Sequence, residues 1–124
     1  MVTIHLSEMV HSIVQTTIRR VLMTNYNDFD KTFAQDFLRI LEKYFDVKML
    51  KYNVEKKDKN SWAYINYLQV GNLVLVPQLG IPEDEQAFQQ IAEALPMCKV
   101  VGVPALEAVR NGGALNCISW NIKV

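Results

Sequence analysis

The sequence predicts an α/β (mixed α+β) fold built from two strand–helix–strand units. Three observations predict it. Short strand-like runs alternate with two segments whose apolar residues recur at helical spacing. One constant interval carries Val21, Ala34, Leu38 and Val47 of the first series onto Val74, Ala87, Ile91 and Val100 of the second. The chain has 124 residues, enough for one domain and too few for two ordinary ones. A repeat of this kind suggests units that bury their apolar faces against one another, and right-handed crossovers make the strands of each unit parallel or mixed, with helices outside.

The elements follow in order. Ile18 to Thr24 reads as a strand, and Asn25 to Asp30, rich in Asn and Asp, as a turn. Asp30 is placed to cap the helix of Lys31 to Tyr44, whose apolar positions Phe33, Phe37, Leu38, Ile40, Leu41 and Tyr44 line one face. Val47 to Tyr52 alternates as a strand does, and Asn53 to Asn60 is a charged connector. The aromatic-rich run Trp62 to Leu68 reads as a strand. Val70 to Asn72 is a turn, and Leu73 to Val76, bounded by Gly71 and Pro77, is a buried strand. Pro82 and the acidic trio Glu83, Asp84 and Glu85 suit the positive N-terminal end of a helix, which Pro96 ends. Lys99 to Val103 is a strand, Pro104 to Arg110 a helical turn, Asn111 to Gly113 a tight loop and Leu115 to Val124 a last strand.

Composition excludes several classes. Half the residues are apolar and 21% are charged, an ordinary globular balance that argues against disorder. A chain of this size buries about two-thirds of its unfolded surface and needs no disulfide or metal to fold. Thirteen basic and thirteen acidic residues cancel, which gives no general attraction to nucleic acid or anionic lipid. Cys98 and Cys117 make no disulfide framework, and no Cys/His cluster has metal-site spacing. The N-terminus lacks the pattern of a signal peptide, and no apolar run spans a membrane. The expectation is a soluble, reduced, cytoplasmic protein with no metal.

The C-terminal half carries more specific signals. They are Ala63-Tyr64-Ile65-Asn66-Tyr67, Gly71-Asn72-Leu73-Val74-Leu75-Val76-Pro77, Ile81-Pro82-Glu83-Asp84-Glu85-Gln86-Ala87, Val100-Val101-Gly102-Val103 and Asn111-Gly112-Gly113-Ala114-Leu115-Asn116-Cys117-Ile118-Ser119. In order and spacing they resemble the C-terminal part of the agmatine deiminase and bacterial peptidylarginine deiminase family, within the guanidine-modifying pentein superfamily. That resemblance implies pentein-type β-α-β modules. The chain has matter for about two of the five that make a full α/β propeller, residues 1–60 with an N-terminal extension and residues 61–124 with the cysteine motif.

By the same resemblance Cys117 is the nucleophile of a C–N hydrolase acting on guanidinium groups. A thiolate is a strong nucleophile, and a bound cation lowers its pKa. Gly112 and Gly113 let the backbone approach a flat substrate, and Asn116 stands where the family often has His. Ile4-His5-Leu6-Ser7-Glu8 stands near the place of the family's Gly-His-x-Asp. His5 then matches the general acid/base. Ser7 occupies the place of the guanidinium-binding Asp, and Glu8 lies one position later. The covalent thiol route needs no cofactor. The substrate class is a small guanidine or an arginine-containing molecule.

The residues also fit other readings. Cys117 suits a small apolar position on a buried strand, and His5 an edge strand. A chain with about two modules lacks the acidic clamp and aromatic wall that the rest of the propeller supplies, so it is expected to be inactive alone. Its open sheet edges favour a homo-oligomer or a partner chain that completes the propeller. The rivals are a non-catalytic oligomeric interaction module and an amine- or guanidine-binding domain without turnover.

Overall fold

The structure is a computed structural model, and it describes residues 4–5, 13–15, 20–25, 28 and 30–112. The first sheet has four strands, β1 (Ile4–His5), β2 (Ile13–Gln15), β3 (Arg20–Met23) and β4 (Asp46–Met49), in that spatial order. The β1–β2 and β2–β3 pairs are antiparallel, and β3–β4 is parallel. The crossover from β3 to β4 is helix α1 (Lys31–Leu41). The second sheet has three strands, β5 (Leu68–Val70), β6 (Leu73–Gln78) and β7 (Lys99–Pro104). Here β5–β6 is antiparallel and β6–β7 parallel, joined by α2 (Glu83–Ala94). A short α3 (Leu106–Arg110) follows.

The constant interval in the sequence has a structural cause. Val21 faces Val47 in one parallel ladder, and Val74 faces Val100 in the other. Each unit therefore has the same strand–helix–strand geometry and the same register, and apolar residues are required at matching places.

In the first unit, the Asp30 side chain accepts the Phe33 N–H at 3.0 Å and caps α1 as its place in the sequence predicts. Val21 and Met23 pack on Ala34 and Leu41, with Phe37, Phe45, Val47 and Met49 partly buried around them. Leu22 points to the opposite face of the strand, as the two-residue period requires. It joins a larger core with Leu50, Tyr52, Tyr64, Tyr67, Val74, Val76, Ala87, Ile91 and Leu95. That core ties the two sheets together; full burial of a side chain such as Leu22 contributes roughly 1.5–3 kcal/mol.

The run Trp62 to Leu68 departs from the strand expectation. Lys59–Asn66 is a 3-10 helix, and only Leu68–Val70 is extended and paired. Asp58 starts the helix: its side chain accepts the Asn60 N–H at 2.8 Å and its carbonyl accepts the Ser61 N–H at 3.1 Å. Ser61, Ala63, Tyr64, Ile65 and Asn66 are all buried. Burial on all sides satisfies a segment that makes its own backbone bonds, and it does not require the alternation of a sheet face. The aromatic composition signalled burial, which a strand and a short buried helix share.

The connector after β4 is held to α2 by two glutamines. Gln90 accepts the Lys51 N–H at 2.9 Å and donates to the Lys51 carbonyl at 2.7 Å. Gln86, one turn earlier, does the same to Asn53 at 2.6 and 3.3 Å. The side-chain amides thus stand in for a neighbouring strand. Lys48 of β4 adds an ion pair of 3.9 Å with Glu93.

Candidate functional site

Of the residues singled out by the sequence, His5 and Gly112 lie among the described ones. His5 is in β1, the edge strand of the first sheet, opposite Val14 of β2. Gly112 ends the turn after α3, where its N–H bonds the Val109 carbonyl at 3.0 Å. Its φ of 86° is the left-handed conformation that glycine adopts without strain, and a Cβ there would meet nothing within 4 Å. Conformation, not crowding, demands a glycine at this C-terminal cap. Cys117, Asn116, Gly113 and Glu8 lie outside the described residues. His5 lies on the first sheet, and Gly112 lies in the turn after α3, which follows the second sheet.

The described residues contain two buried polar clusters. At the carboxyl end of β3, Asn25 Oδ1 accepts the Thr24 hydroxyl at 3.2 Å and the Ser61 hydroxyl at 2.9 Å, while Asn25 Nδ2 donates to Asp28 at 2.9 Å. Thr24, Asn25 and Ser61 are all buried. The cluster fastens the end of the first unit's leading strand to the 3-10 helix. The Asn/Asp-rich turn in the sequence marks one side of it, and nothing local marks Ser61 as the other.

The second cluster lies at the start of α2. Asp84 accepts the Leu79 and Gly80 N–H groups at 2.9 and 2.8 Å and the Tyr64 hydroxyl as well. Glu83 is 1% exposed and accepts the Asp58 N–H at 2.8 Å. The acidic trio thus does more than face the helix dipole. Two of its members fix the loop after β6 and the start of the 3-10 helix. Tyr52 stacks obliquely on Tyr64 at 5.9 Å between ring centroids, and its buried hydroxyl has no hydrogen-bond partner among the described residues.

Burial holds the Tyr52 phenol far above its ordinary value, and the nearby Glu83 carboxylate adds to the effect. Burial does the same to Tyr64, with the hydrogen bond to Asp84 second. Both phenols stay protonated, and Tyr64 acts as a fixed donor. Neither cluster presents a nucleophile. Among the described residues no group of His, Cys, Asp and Glu could hold a metal ion, and no helix is long and apolar enough to cross a membrane.

The family model of the Porphyromonas-type peptidyl-arginine deiminases matches residues 3–122. The chain belongs to this family. A Listeria monocytogenes protein named as an agmatine deiminase is 37% identical over 68 residues, 55% of this chain and 19% of that protein. Two solved structures share the fold. One is a Porphyromonas gingivalis protein named as an arginine deiminase (TM-score 0.69, 17% identity), covering 86% of this chain and 36% of its own. The other is the agmatine deiminase of Enterococcus faecalis (TM-score 0.60, 21% identity), covering 80% and 35%. The chain therefore spans about a third of these solved relatives and under a fifth of the curated one. The family expected from the C-terminal motifs is borne out, as is the mixed α/β fold class.

Proposed function

We propose that this chain carries the nucleophile-bearing part of a guanidine C–N hydrolase and works when the remaining propeller modules are supplied. The observation that carries the reading is the family match over residues 3–122, which takes in both His5 and Cys117. The names of the relatives point to agmatine or arginine as the class of substrate.

In this reading the Cys117 thiolate adds to the guanidinium carbon. The C–N bond to ammonia breaks as His5 gives the departing nitrogen a proton. Water, losing a proton to the same imidazole, then attacks the carbon and expels the thiolate, leaving a ureido product. Glu8 pairs with the guanidinium charge, and Asn116 and the Gly112–Gly113 backbone line its flat face. No cofactor enters. The remaining modules of the propeller provide the acidic clamp, because such groups act only when held within a fraction of an ångström.

The test is release of ureido product from agmatine, free arginine and a peptidylarginine. The chain alone is expected to turn over little. Assembly with the missing modules is expected to bring activity that Cys117→Ser abolishes. Assembled protein that is inactive, or a Cys117→Ser variant that keeps its activity, overturns the proposal. The second reading, a non-catalytic interaction or guanidine-binding module, rests on Ser7 at the place of the clamping Asp. Thermal stabilisation by agmatine without product would favour it.

A further inference from the structure

A cavity of about 640 Å³ opens between the connector after β4 and the loop that leads into α2. That volume falls in the roughly 300–1,000 Å³ range of small-molecule sites. Lys56, Lys57 and Lys59 line one side, and Ile81 and Pro82 the other. The two walls are distant in sequence and are fixed to each other. The Asp58 N–H bonds the Glu83 carboxylate at 2.8 Å, and the Asp58 carbonyl accepts the Ser61 N–H at 3.1 Å. The Ile81 carbonyl accepts the Asp84 N–H at 3.0 Å, and Ile81 and Val54 pack on the joint core. The cavity is therefore built without a ligand.

Its charge is unbalanced. Asp58 and Glu83 are also in the wall, but both carboxylates are turned to backbone. Asp58 accepts the Asn60 N–H at 2.8 Å, and Glu83, 1% exposed, accepts the Asp58 N–H. Elsewhere the chain matches cations with acids, Lys48 with Glu93, Arg20 with Asp46 and Arg39 with Asp36. Among the described residues Lys56, Lys57 and Lys59 form no such pair. Lys57 Nζ donates to the Val54 carbonyl at 3.5 Å, a long bond that leaves its charge unneutralised. A concave surface with unpaired charges of one sign concentrates its field on the space it encloses. Lysine ammonium groups are compact point charges that meet oxyanions without a fixed fork. Three of them suit the two charges and several oxygens of a phosphate monoester better than the single charge of a carboxylate. Half-buried Ile81 and exposed Pro82 offer an apolar wall for the rest of such a molecule.

We propose that this cavity binds a small phosphate ester, with the ammonium groups of Lys56, Lys57 and Lys59 on the phosphate and the organic body against Ile81 and Pro82. Lys56 and Lys59 are exposed, so binding is modest in strength and falls as salt rises.

The test is calorimetric titration of the 124-residue chain with phenyl phosphate, inorganic phosphate and benzoate at fixed, low ionic strength. It needs no turnover and so stands apart from the catalytic reading. Phenyl phosphate is expected to saturate one site. It should bind several-fold more tightly than inorganic phosphate, which lacks the organic body, and than benzoate, which lacks the second charge. Lys56→Gln, Lys57→Gln and Lys59→Gln combined should weaken it by about tenfold or more. Lys43→Gln, Lys51→Gln and Lys99→Gln combined remove the same charge from other exposed positions and should change it by no more than about twofold. An unchanged circular dichroism spectrum confirms that each variant folds. No saturable binding of phenyl phosphate overturns the proposal. So does a cavity variant that binds as the parent does, or a dispersed variant that loses as much. Benzoate or inorganic phosphate bound as tightly as phenyl phosphate overturns the assignment of a phosphate ester.

Discussion

The two strand–helix–strand units share a register and differ in what covers their helices. Gln86 and Gln90 of α2 stand at the positions that Phe33 and Phe37 hold in α1, and Glu93 stands where Ile40 does. In α2 that face grips the chain's own connector through the paired amides and meets Lys48 through Glu93. In α1 the same positions are aromatic and aliphatic, with Phe33 and Ile40 exposed and Phe37 half-buried on the first unit's core. The repeat preserves the apolar residues that a parallel ladder under a helix requires. It leaves the outer face free to become a polar seam in one unit and an apolar one in the other.

The leading strands differ in the same way. Leu22 of β3 and Leu75 of β6 occupy equivalent places, opposite Lys48 and Val101. Leu22 is 0% exposed and sits in the joint core, whereas Leu75 is only half-buried. Leu22→Ala is expected to cost about 2–5 kcal/mol in chemical denaturation, with Leu75→Ala nearer 1 kcal/mol. Equal losses would mean that both inner faces are equally packed and would remove the contrast.

Two tyrosines sharpen the comparison within the joint core. Tyr64→Phe removes a hydroxyl bonded to a carboxylate that also caps two N–H groups, and about 1–3 kcal/mol should be lost. Tyr52→Phe removes a buried hydroxyl with no partner among the described residues and should be neutral or stabilising. Since both folded phenols hold their protons above the ordinary value of 10.0, the unfolded chain releases protons there that the native chain keeps. Their contribution to stability is therefore whole below pH 10 and declines as pH rises above it. Tyr64→Phe should flatten that alkaline decline, as measured by melting temperature against pH.

A smaller effect is expected at the polar seam. Gln90→Ala frees the Lys51 backbone and should cost about 1 kcal/mol, with faster amide exchange confined to the connector. The smallest is Asp30→Ala at the α1 cap, about 0.5–1 kcal/mol, because that bond is exposed to water.

Much of this architecture is visible in the chain before it folds. Periodicity and punctuation place α1 and α2, the parallel pairs and the Asp30 cap, because each rests on contacts between near neighbours or on one buried face. The 3-10 helix of Lys59–Asn66 is not visible, since its aromatics announce burial without saying in what conformation. The Asn25–Ser61 and Tyr64–Asp84 bonds join residues far apart in sequence, so no local pattern specifies them. The proposed catalytic set is legible chiefly through family motifs. Cys117, Asn116, Gly113 and Glu8 fall outside the described residues, and the geometry of the reaction rests on measurement.

The most direct measurement compares the chain's own two cysteines. Cys98 is half-buried beside Gln69, whose amide lies 3.7 Å from its sulfur, and serves as the inert reference. In the chain assembled with the remaining propeller modules, alkylation of each thiol is followed by mass spectrometry across pH, with and without agmatine. If Cys117 is a nucleophile, it should react with an apparent pKa below the ordinary thiol value of about 8.5, and agmatine should change its rate while leaving Cys98 unaffected. A Cys117 that titrates as an ordinary thiol and ignores agmatine would contradict the account and make it a structural strand residue.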